Sequence, residues 1–211
     1  DKYLFDEDIS RIILKMENLN VLSRYFTRIK GASTVSEAYK ISKVLREAEE
    51  QPKSIYSNNS KFINTGTIDK YTSLWSKSKT TFIKKCYRKP IIHHSDLIKI
   101  NPSRLEQAKM PKIIIAGMVK EIEAFYDSRG EYLAGKSTTI ILPDEQVNIS
   151  ERELIALTGI INSKALSFWT SISLDSSKMS GAYYNLSKET IKKIPIPDLD
   201  LLRKSGLYDL I

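Results

Sequence analysis

The sequence predicts an α+β protein with a mixed, mostly antiparallel sheet of short strands flanked by helices, including a long helix in the C-terminal half. Three observations predict this class. Residues 6–19 and 150–172 carry apolar side chains at three- and four-residue spacing, which is typical of amphipathic helices. Residues 112–116 form a continuous β-branched run, as in a central strand. Short alternating segments separated by polar turns lie between the two helices.

The remaining elements follow from the same patterns. Helical spacing predicts helices over 35–50 and 103–108, and a third helix begins after Ser187 and ends before the Ile-Pro-Ile-Pro run at 194–197. Residues 61–71 have the pattern of strand, turn and strand. The other predicted elements are strands over 21–29, 82–87, 90–93, 124–127 and 137–142 and a final helix over 198–210.

The composition bounds the class of protein. With 211 residues, 41% of them hydrophobic and 27% charged, the chain can bury a sizeable core without a metal or a disulfide. Cys86 is its only cysteine, which favours a reducing, cytoplasmic location. No apolar run approaches the length of a bilayer span, so we expect no membrane partner. The net charge of +8 is compatible with a polyanionic partner.

Basic residues are concentrated in one segment. Residues 70–95 contain no Asp or Glu, and Trp75, Phe82 and Tyr87 lie among its cations. Two interpretations are open: a nucleic-acid-binding surface in which lysines contact phosphates, or a solvated face over buried aromatic side chains. The cations of this segment are Lys70, Lys77, Lys79, Lys84, Lys85, Arg88 and Lys89.

Three polar loops share one chemistry, which combines hydroxyl or amide side chains with a glycine or a cation. They are Asn64-Thr65-Gly66-Thr67, Lys136-Ser137-Thr138-Thr139 and Ser176-Ser177-Lys178. Such residues hydrogen-bond phosphates and base edges, and glycine allows the backbone to approach a groove. The same residue types also make ordinary turns, so each loop alone has both interpretations.

Several catalytic motifs are missing from the sequence. The eight glycines stand apart, so there is no Gly-x-Gly nucleotide or S-adenosylmethionine loop. Asn101-Pro102-Ser103 departs from the Asn/Asp-Pro-Pro-Tyr/Phe motif of adenine methyltransferases. His93, His94 and Asp96 are candidate metal ligands, but adjacent histidines on a strand point in opposite directions. With Glu121 and Glu123 they support only the alternative of a small nuclease. We therefore expect no catalytic residue, metal or cofactor in this chain.

An ordered set of motifs resembles the C-terminal specificity domain of TaqI-type adenine-specific DNA methyltransferases and related fused restriction-modification enzymes. The most telling part is the leucine-rich segment 154–164, which ends in Asn-Ser-Lys and precedes Phe168-Trp169, Tyr183, Leu186-Ser187-Lys188 and the 194–197 run. The others are segments 62–69, with Tyr71 and Trp75 after it, 111–116, followed by a hairpin over 122–132, and 135–143. The resemblance covers about residues 20–200.

The resemblance implies that DNA recognition and catalysis belong to separate domains. Residues 1–20 would be a linker helix from a missing catalytic domain, 21–200 the target-recognition domain, and 201–211 a helical tail. The domain would read a short sequence in double-stranded DNA, while the catalytic domain binds S-adenosylmethionine and methylates a flipped adenine. The alternative is a stand-alone specificity or interaction subunit that docks on a methyltransferase or nuclease.

The resemblance also implies roles for individual side chains. Lysines of the basic segment, with Lys136, Lys178 and Lys188, would contact phosphates. Phe168 and Trp169 are assigned to the core, because they lie on the apolar face of the long helix. The full set of predicted DNA-binding residues is Asn64, Thr65, Gly66, Thr67, Tyr71, Lys77, Lys79, Lys84, Lys136, Ser137, Thr138, Ser177, Lys178, Tyr183, Tyr184 and Lys188.

Overall fold

The computed structural model describes residues 7–48, 58–144, 149–174, 178–179 and 183–205, and it confirms the α+β class. No helix among these residues is long and apolar enough to span a bilayer. The helices are α1 Glu7–Glu17, α2 Val35–Val44, α3 His94–Ile100, α4 Pro102–Lys109, α5 Glu151–Ile161, α6 Lys164–Ser173, α7 Lys188–Lys192 and α8 Leu199–Ser205.

The strands are short. In chain order they are β1 Asn20–Val21, β2 Ile29–Gly31, β3 Arg46–Glu47, β4 Asn59–Ile63, β5 Ile68–Asp69, β6 Thr72–Ser73, β7 Thr80–Phe82, β8 Lys85–Tyr87, β9 Pro90–His93, β10 Lys112–Ala116, β11 Met118–Val119, β12 Ala124–Asp127, β13 Tyr132–Ala134, β14 Thr138–Ile141, β15 Lys178–Met179, β16 Tyr183–Asn185 and β17 Pro195–Ile196.

Two four-stranded sheets form the framework. The main sheet has the order β12-β10-β14-β2 and is antiparallel. The second sheet has the order β13-β4-β9-β3, and its β13–β4 pair is parallel. A small edge sheet has the order β11-β16-β15. The pairs β1–β17, β5–β6 and β7–β8 complete the strand pairing of the described residues.

The main sheet lies in the larger hydrophobic core. Every residue of β10 is buried, as its β-branched run predicts, and α5 packs against β12 and β10. Helix α1, predicted to be a linker helix, contacts β17 and buries Ile13 completely in this core. A smaller core lies between the second sheet and the group α2, α3 and α4, and it contains Phe62, Phe82 and Tyr87.

The predicted long helix over 150–172 is two helices in the structure. Ser150 and Glu153 form a capping box where the helix was predicted to begin, but the helix stops at Asn162. The carboxamide of Asn162 accepts a hydrogen bond from the Ala124 N–H (2.9 Å) and donates one to the Ala124 carbonyl (2.8 Å). These two hydrogen bonds take the place of those that the backbone of a neighbouring strand would form with β12. Ser163 then caps α6 by accepting a hydrogen bond from the Leu166 N–H.

A buried ion pair fixes one end of the main sheet. The ammonium of Lys112 lies 2.5 Å from the Asp127 carboxylate and also donates to the carbonyls of Ala108 (2.9 Å) and Met110 (3.1 Å). Both side chains are almost inaccessible to solvent. Burial lowers the pKa of Lys112, and Asp127 opposes that shift. Lys112 and Asp127 lie directly opposite each other in the β10–β12 pairing, so their ion pair fixes the register of these strands.

The prediction of a hairpin over 122–132 is wrong, because the chain leaves the main sheet after β12. The Asp127 carboxylate accepts hydrogen bonds from the N–H groups of Glu131 (3.0 Å) and Tyr132 (3.1 Å), which reverses the chain. Gly130 has φ +62°, and a Cβ there would lie 2.0 Å from the Lys109 carbonyl oxygen. Strand β13 then pairs in parallel with β4 in the second sheet.

Other differences from the predicted elements are local. The helix predicted over 35–50 ends at Val44, since Glu47 in β3 uses its carboxylate to accept the N–H groups of Arg88 and Lys89. The strand predicted over 21–29 is β1, a 3-10 turn and β2. The strand predicted over 82–87 is the β7–β8 hairpin. Helix α3 was not predicted, and the last predicted helix is described only to Ser205.

Glu37 joins two helices of the smaller core. It forms the capping box of α2 with Thr34 and accepts hydrogen bonds from Asn101 (2.6 Å) and from two nitrogens of Arg104 (3.1 and 2.9 Å). Burial opposes ionisation of this carboxyl, but the hydrogen bonds from Arg104, Thr34 and Asn101 outweigh it and lower its pKa to about 2. The Glu37 carboxylate therefore stabilises the folded state at every pH at which it is ionised.

Replacing the buried lysine will be far more costly than replacing an exposed one. Lys112→Met leaves the Asp127 carboxylate buried without its cation, so we expect the free energy of unfolding to fall by about 3–5 kcal/mol. The matched control is Lys192→Met, which removes an exposed pair with Glu189 and should cost less than about 1 kcal/mol. Urea denaturation at neutral pH measures both, and equal losses would contradict the anchoring role of Lys112.

Stability will depend on pH through Glu37. Its pKa is about 2 in the folded chain against an ordinary value of 4.5, so its contribution is present above pH 4.5 and is lost as the pH falls towards 2. We expect Glu37→Gln to be less stable than wild type at neutral pH and to lose less stability over this acidic window. Denaturation at a series of pH values tests this, with Glu106→Gln at an exposed position of α4 as the control. Parallel curves for wild type and Glu37→Gln would refute it.

Candidate nucleic-acid interface

Two of the three predicted polar loops, together with the segment 183–188, converge at Gly117, at the end of β10 opposite the Lys112–Asp127 pair. Most of the third predicted loop, 176–178, lies outside the described residues. The Gly117 N–H donates to the Ser137 carbonyl (2.9 Å), and its carbonyl accepts the Leu186 N–H (2.8 Å). The next residue, Met118, donates its N–H to the Thr65 hydroxyl (3.1 Å). Hydrogen bonds to the backbone of Gly117 and Met118 therefore hold the turns at 64–67 and 135–137 and the segment 183–188 side by side.

A recess lies between the 135–137 turn and the segment 183–188. Its volume is about 310 Å³, and it is lined by Gly117, Lys136, Ser137, Asn185, Ser187 and Lys188, among others. The side chains of Lys136, Ser137, Asn185, Ser187 and Lys188 are exposed. Two exposed lysines and two exposed serines among its lining residues make the cavity suited to an oxyanion such as a phosphate.

A second recess lies on the other side of the 136–137 turn. Its volume is about 220 Å³, and Lys136 and Ser137 line it together with Asn64. Its remaining walls come from helix α2 and the β7–β8 hairpin: Val35, Ala38, Tyr39, Thr81, Phe82 and Ile83. The turn that carries Lys136 is thus a ridge between two cavities.

The basic segment is attached to the first loop. The Leu74 N–H donates to the Thr67 carbonyl (3.0 Å), and β7 lies beside the 65–67 turn. Its lysines at 77, 79 and 84 are exposed, whereas Phe82 and Tyr87 are buried and the Trp75 indole N–H donates to the Pro90 carbonyl (2.8 Å). The aromatic side chains therefore pack internally, and the cations remain at the surface.

Two lysines form cation–π contacts with the tyrosines of the segment 183–188. The ammonium of Lys120 lies 5.3 Å from the centre of the Tyr183 ring, and that of Lys178 lies 5.6 Å from the centre of the Tyr184 ring. Lys120 and Gly117 were not among the predicted site residues. Only the pairing of β11 with β16 brings them to this surface, and no local sequence signal marks that pairing.

Three predicted contact residues are buried, which corrects the expectation that they face DNA. Thr67 has no exposed surface, and its hydroxyl donates to the Asn64 carbonyl and accepts the Asn64 N–H. The Thr138 hydroxyl donates to the Gly135 carbonyl (2.7 Å). Tyr184 is 5% exposed in the edge sheet. These side chains shape the loops instead of reaching a ligand.

The other predicted residues are distributed unevenly. Gly66 is exposed, and Asn64 and Thr65 are half-buried at the first loop. Tyr71 is exposed but lines a separate cavity of about 270 Å³ with Arg129 and Tyr132. Ser177 lies outside the described residues.

The candidate ligands of the nuclease alternative are used in other contacts. His94 Nε2 lies 3.2 Å from the Ser60 hydroxyl, and burial, together with nearby Lys109, lowers its pKa. Lys70 donates to the Glu121 carboxylate and lowers its pKa, whereas burial and Asp69 raise the pKa of Glu123. Within the described part of the chain, no three His, Cys, Asp or Glu side chains are grouped so as to hold a metal ion.

Comparison with known proteins adds no family. No family model matches the chain, and no curated protein matches it significantly.

The close packing of the loops predicts different outcomes for two glycine substitutions. A Cβ at Gly117 would lie 2.5 Å from the Ser137 carbonyl oxygen, whereas one at Gly66 meets nothing within 4 Å. We expect Gly117→Ala to reduce the free energy of unfolding by about 1–3 kcal/mol and Gly66→Ala to change it by less than about 1 kcal/mol. Urea titrations measure both values. Equal values for the two variants would show that the loops do not meet at Gly117.

Proposed function

We propose that this chain is a sequence-specific, double-stranded-DNA recognition module of a restriction-modification methyltransferase. The observation that carries the proposal is the convergence of the 64–67, 135–137 and 183–188 segments at Gly117, with exposed lysines around them. A surface of this kind offers cations for the phosphates of a duplex and hydroxyl and amide groups for base edges.

The charge of the surface supports this partner. Lys120, Lys136, Lys178 and Lys188 are exposed around the converging loops, and the chain as a whole carries a net charge of +8. Of these four lysines, Lys188 also forms an ion pair with Glu189. A duplex that binds here would release counterions from its phosphates, so its affinity would fall with salt.

The exposed residues divide into two roles under this proposal. Lysines at 77, 79, 84, 136, 178 and 188 contact phosphates and set the position of the duplex. Asn64, Thr65, Ser137 and Tyr183 contact base edges from the converging segments, and Gly66 allows the backbone to approach a groove. The buried Thr67, Thr138 and Tyr184 hold these residues in place.

The chemistry of methyl transfer is assigned to a partner. A catalytic domain or subunit would bind S-adenosylmethionine, flip an adenine from the duplex and methylate it. The same recognition role applies whether this chain is joined to that partner or docks on it as a separate specificity subunit. We further propose a cytoplasmic location, as expected for a protein that acts on chromosomal or invading DNA.

A salt titration tests the recognition role. Lys136→Gln removes one phosphate contact, so we expect it to weaken binding to all duplexes similarly and to reduce the slope of log affinity against log salt by about 1. Fluorescence anisotropy with a labelled duplex of mixed sequence measures the slope.

Lys109→Gln is the matched control. Lys109 is also an exposed lysine, but it lies at the opposite end of β10, next to the Gly130 turn. Its substitution should leave the slope unchanged. The proposal fails if wild type shows no salt-dependent binding, or if Lys109→Gln and Lys136→Gln reduce the slope equally.

A further inference from the structure

We infer that the β7–β8 hairpin enters the major groove of the bound duplex, with the face that carries Thr81 and Cys86 against the base edges. The inference rests on the proposed DNA recognition and deepens it, because it identifies the element that occupies the groove. The residues that it adds to the interface are Thr81, Lys85, Cys86 and Arg88.

The hairpin is a two-stranded ribbon with one open face. Among the described strands, β7 and β8 pair only with each other. Successive side chains of a strand point to opposite faces, and directly paired residues point to the same face. Thr80 and its partner Tyr87 are buried, whereas Thr81 and its partner Cys86 are exposed. The ribbon is therefore fixed by one face and presents the other to solvent.

The open face has the dimensions that a groove requires. The major groove is about 12 Å wide and admits a two-stranded ribbon, whose strands are about 4.8 Å apart. Thr81 and Cys86 have small side chains, with the Thr81 hydroxyl 4.0 Å from the Cys86 sulfur, so they allow the ribbon backbone to approach the bases. The Thr81 hydroxyl can donate or accept a hydrogen bond at a base edge, and its methyl group can contact that of a thymine.

Exposed cations border the open face. Lys79 directly precedes β7, and Arg88 directly follows β8. Lys84 and Lys85 lie at the turn end of the ribbon. None of these four side chains forms an ion pair with another described residue. Two phosphate backbones border the bases of a groove, so a small neutral centre between cations is complementary to it.

Contacts at its buried face and its base hold the ribbon in this position. The Phe82 ring packs against that of Phe62, with 4.6 Å between the ring centroids. The Glu47 carboxylate accepts hydrogen bonds from the N–H groups of Arg88 (2.9 Å) and Lys89. Because the ribbon is ordered before a duplex arrives, binding requires little free energy to order it.

The turn of the ribbon exposes a lysine in spite of backbone strain. Ile83 and Lys84 have φ values of +41° and +64°. Two-residue turns with positive φ at both positions favour Asn-Gly, and most other L-residues are disfavoured there. The strained turn leaves Lys84 exposed at the end of the ribbon. Strain of this kind is concentrated at functional sites, including ligand-binding segments.

The single cysteine of the chain reports on the open face. The exposed Cys86 thiol will react with a maleimide, and mass spectrometry over time gives the rate. With a duplex of mixed sequence at about ten times its Kd, we expect the rate to fall about tenfold, because only unbound chains expose the thiol. A duplex with bulky C5 substituents on its pyrimidines, which fill the major groove, should lower the rate less than about twofold.

The matched control is Cys86→Ser combined with Ile155→Cys. Ile155 is 44% exposed on α5 and lines neither recess. The thiol at this position should react at the same rate with and without the duplex. The inference is overturned if the bound, unmodified duplex leaves Cys86 reactive, or if the C5-substituted duplex protects it equally.

A bulky substitution tests the fit independently. Thr81→Trp fills the open face without changing the charge, so we expect it to weaken binding of the unmodified duplex about tenfold, the equivalent of one base-edge contact. Ile155→Trp should bind like wild type, and urea denaturation should show that both variants are folded. Unchanged affinity of Thr81→Trp would overturn the inference and leave the proposed function standing. If wild type binds no duplex in the anisotropy assay, both are overturned.

Discussion

The ion pair between Lys112 and Asp127 is the constraint on which the arrangement of the loops depends. Strand β10 begins at this pair and leads to Gly117. The turn held by the Asp127 carboxylate starts strand β13, which leads to Gly135. These strands belong to different sheets, so the buried pair links the two sheets at one end. The loops meet at the other end of the two sheets because β10 and β13 both extend away from the ion pair.

The pair can have this role because its polar groups are saturated. A buried charge is costly unless its hydrogen-bonding capacity is met, and an apolar pair of similar volume often stabilises a core better. An apolar pair would not accept the N–H groups of Glu131 and Tyr132 or hold the Ala108 carbonyl at the end of α4. Conformational specificity, and not only stability, therefore explains why charged residues occupy this position.

Local signals in the sequence predicted much of the fold. The apolar run 112–116, the start of a helix at Ser150 and the helical spacing over 103–108 all depend on neighbouring residues, and each has its predicted element. The break at Asn162 could not be predicted in this way. Its cause is the backbone of Ala124, which is distant in sequence and becomes a neighbour only after folding.

The candidate site shows the same division. Composition was sufficient to single out the 64–67 and 136–139 loops, because short polar side chains and glycine are a local property. It could not distinguish outward from inward hydroxyls: Ser137 is exposed, whereas its neighbour Thr138 is bonded to Gly135. Nor could it identify Gly117, whose role follows from hydrogen bonds to residues of two other loops.

The rigidity of the ridge bears on how such a surface could discriminate. An isolated exposed lysine contributes mainly a salt-dependent attraction that is similar for every sequence. Discrimination requires a few groups held in fixed positions, since ordering a mobile loop costs free energy on binding. The ridge meets this requirement: the Gly135 N–H donates to the Ile63 carbonyl (2.8 Å), and Ser137 is bonded to Gly117. Lys136 is thereby presented on a backbone that is already ordered, with the carboxamide of Asn64 beside it.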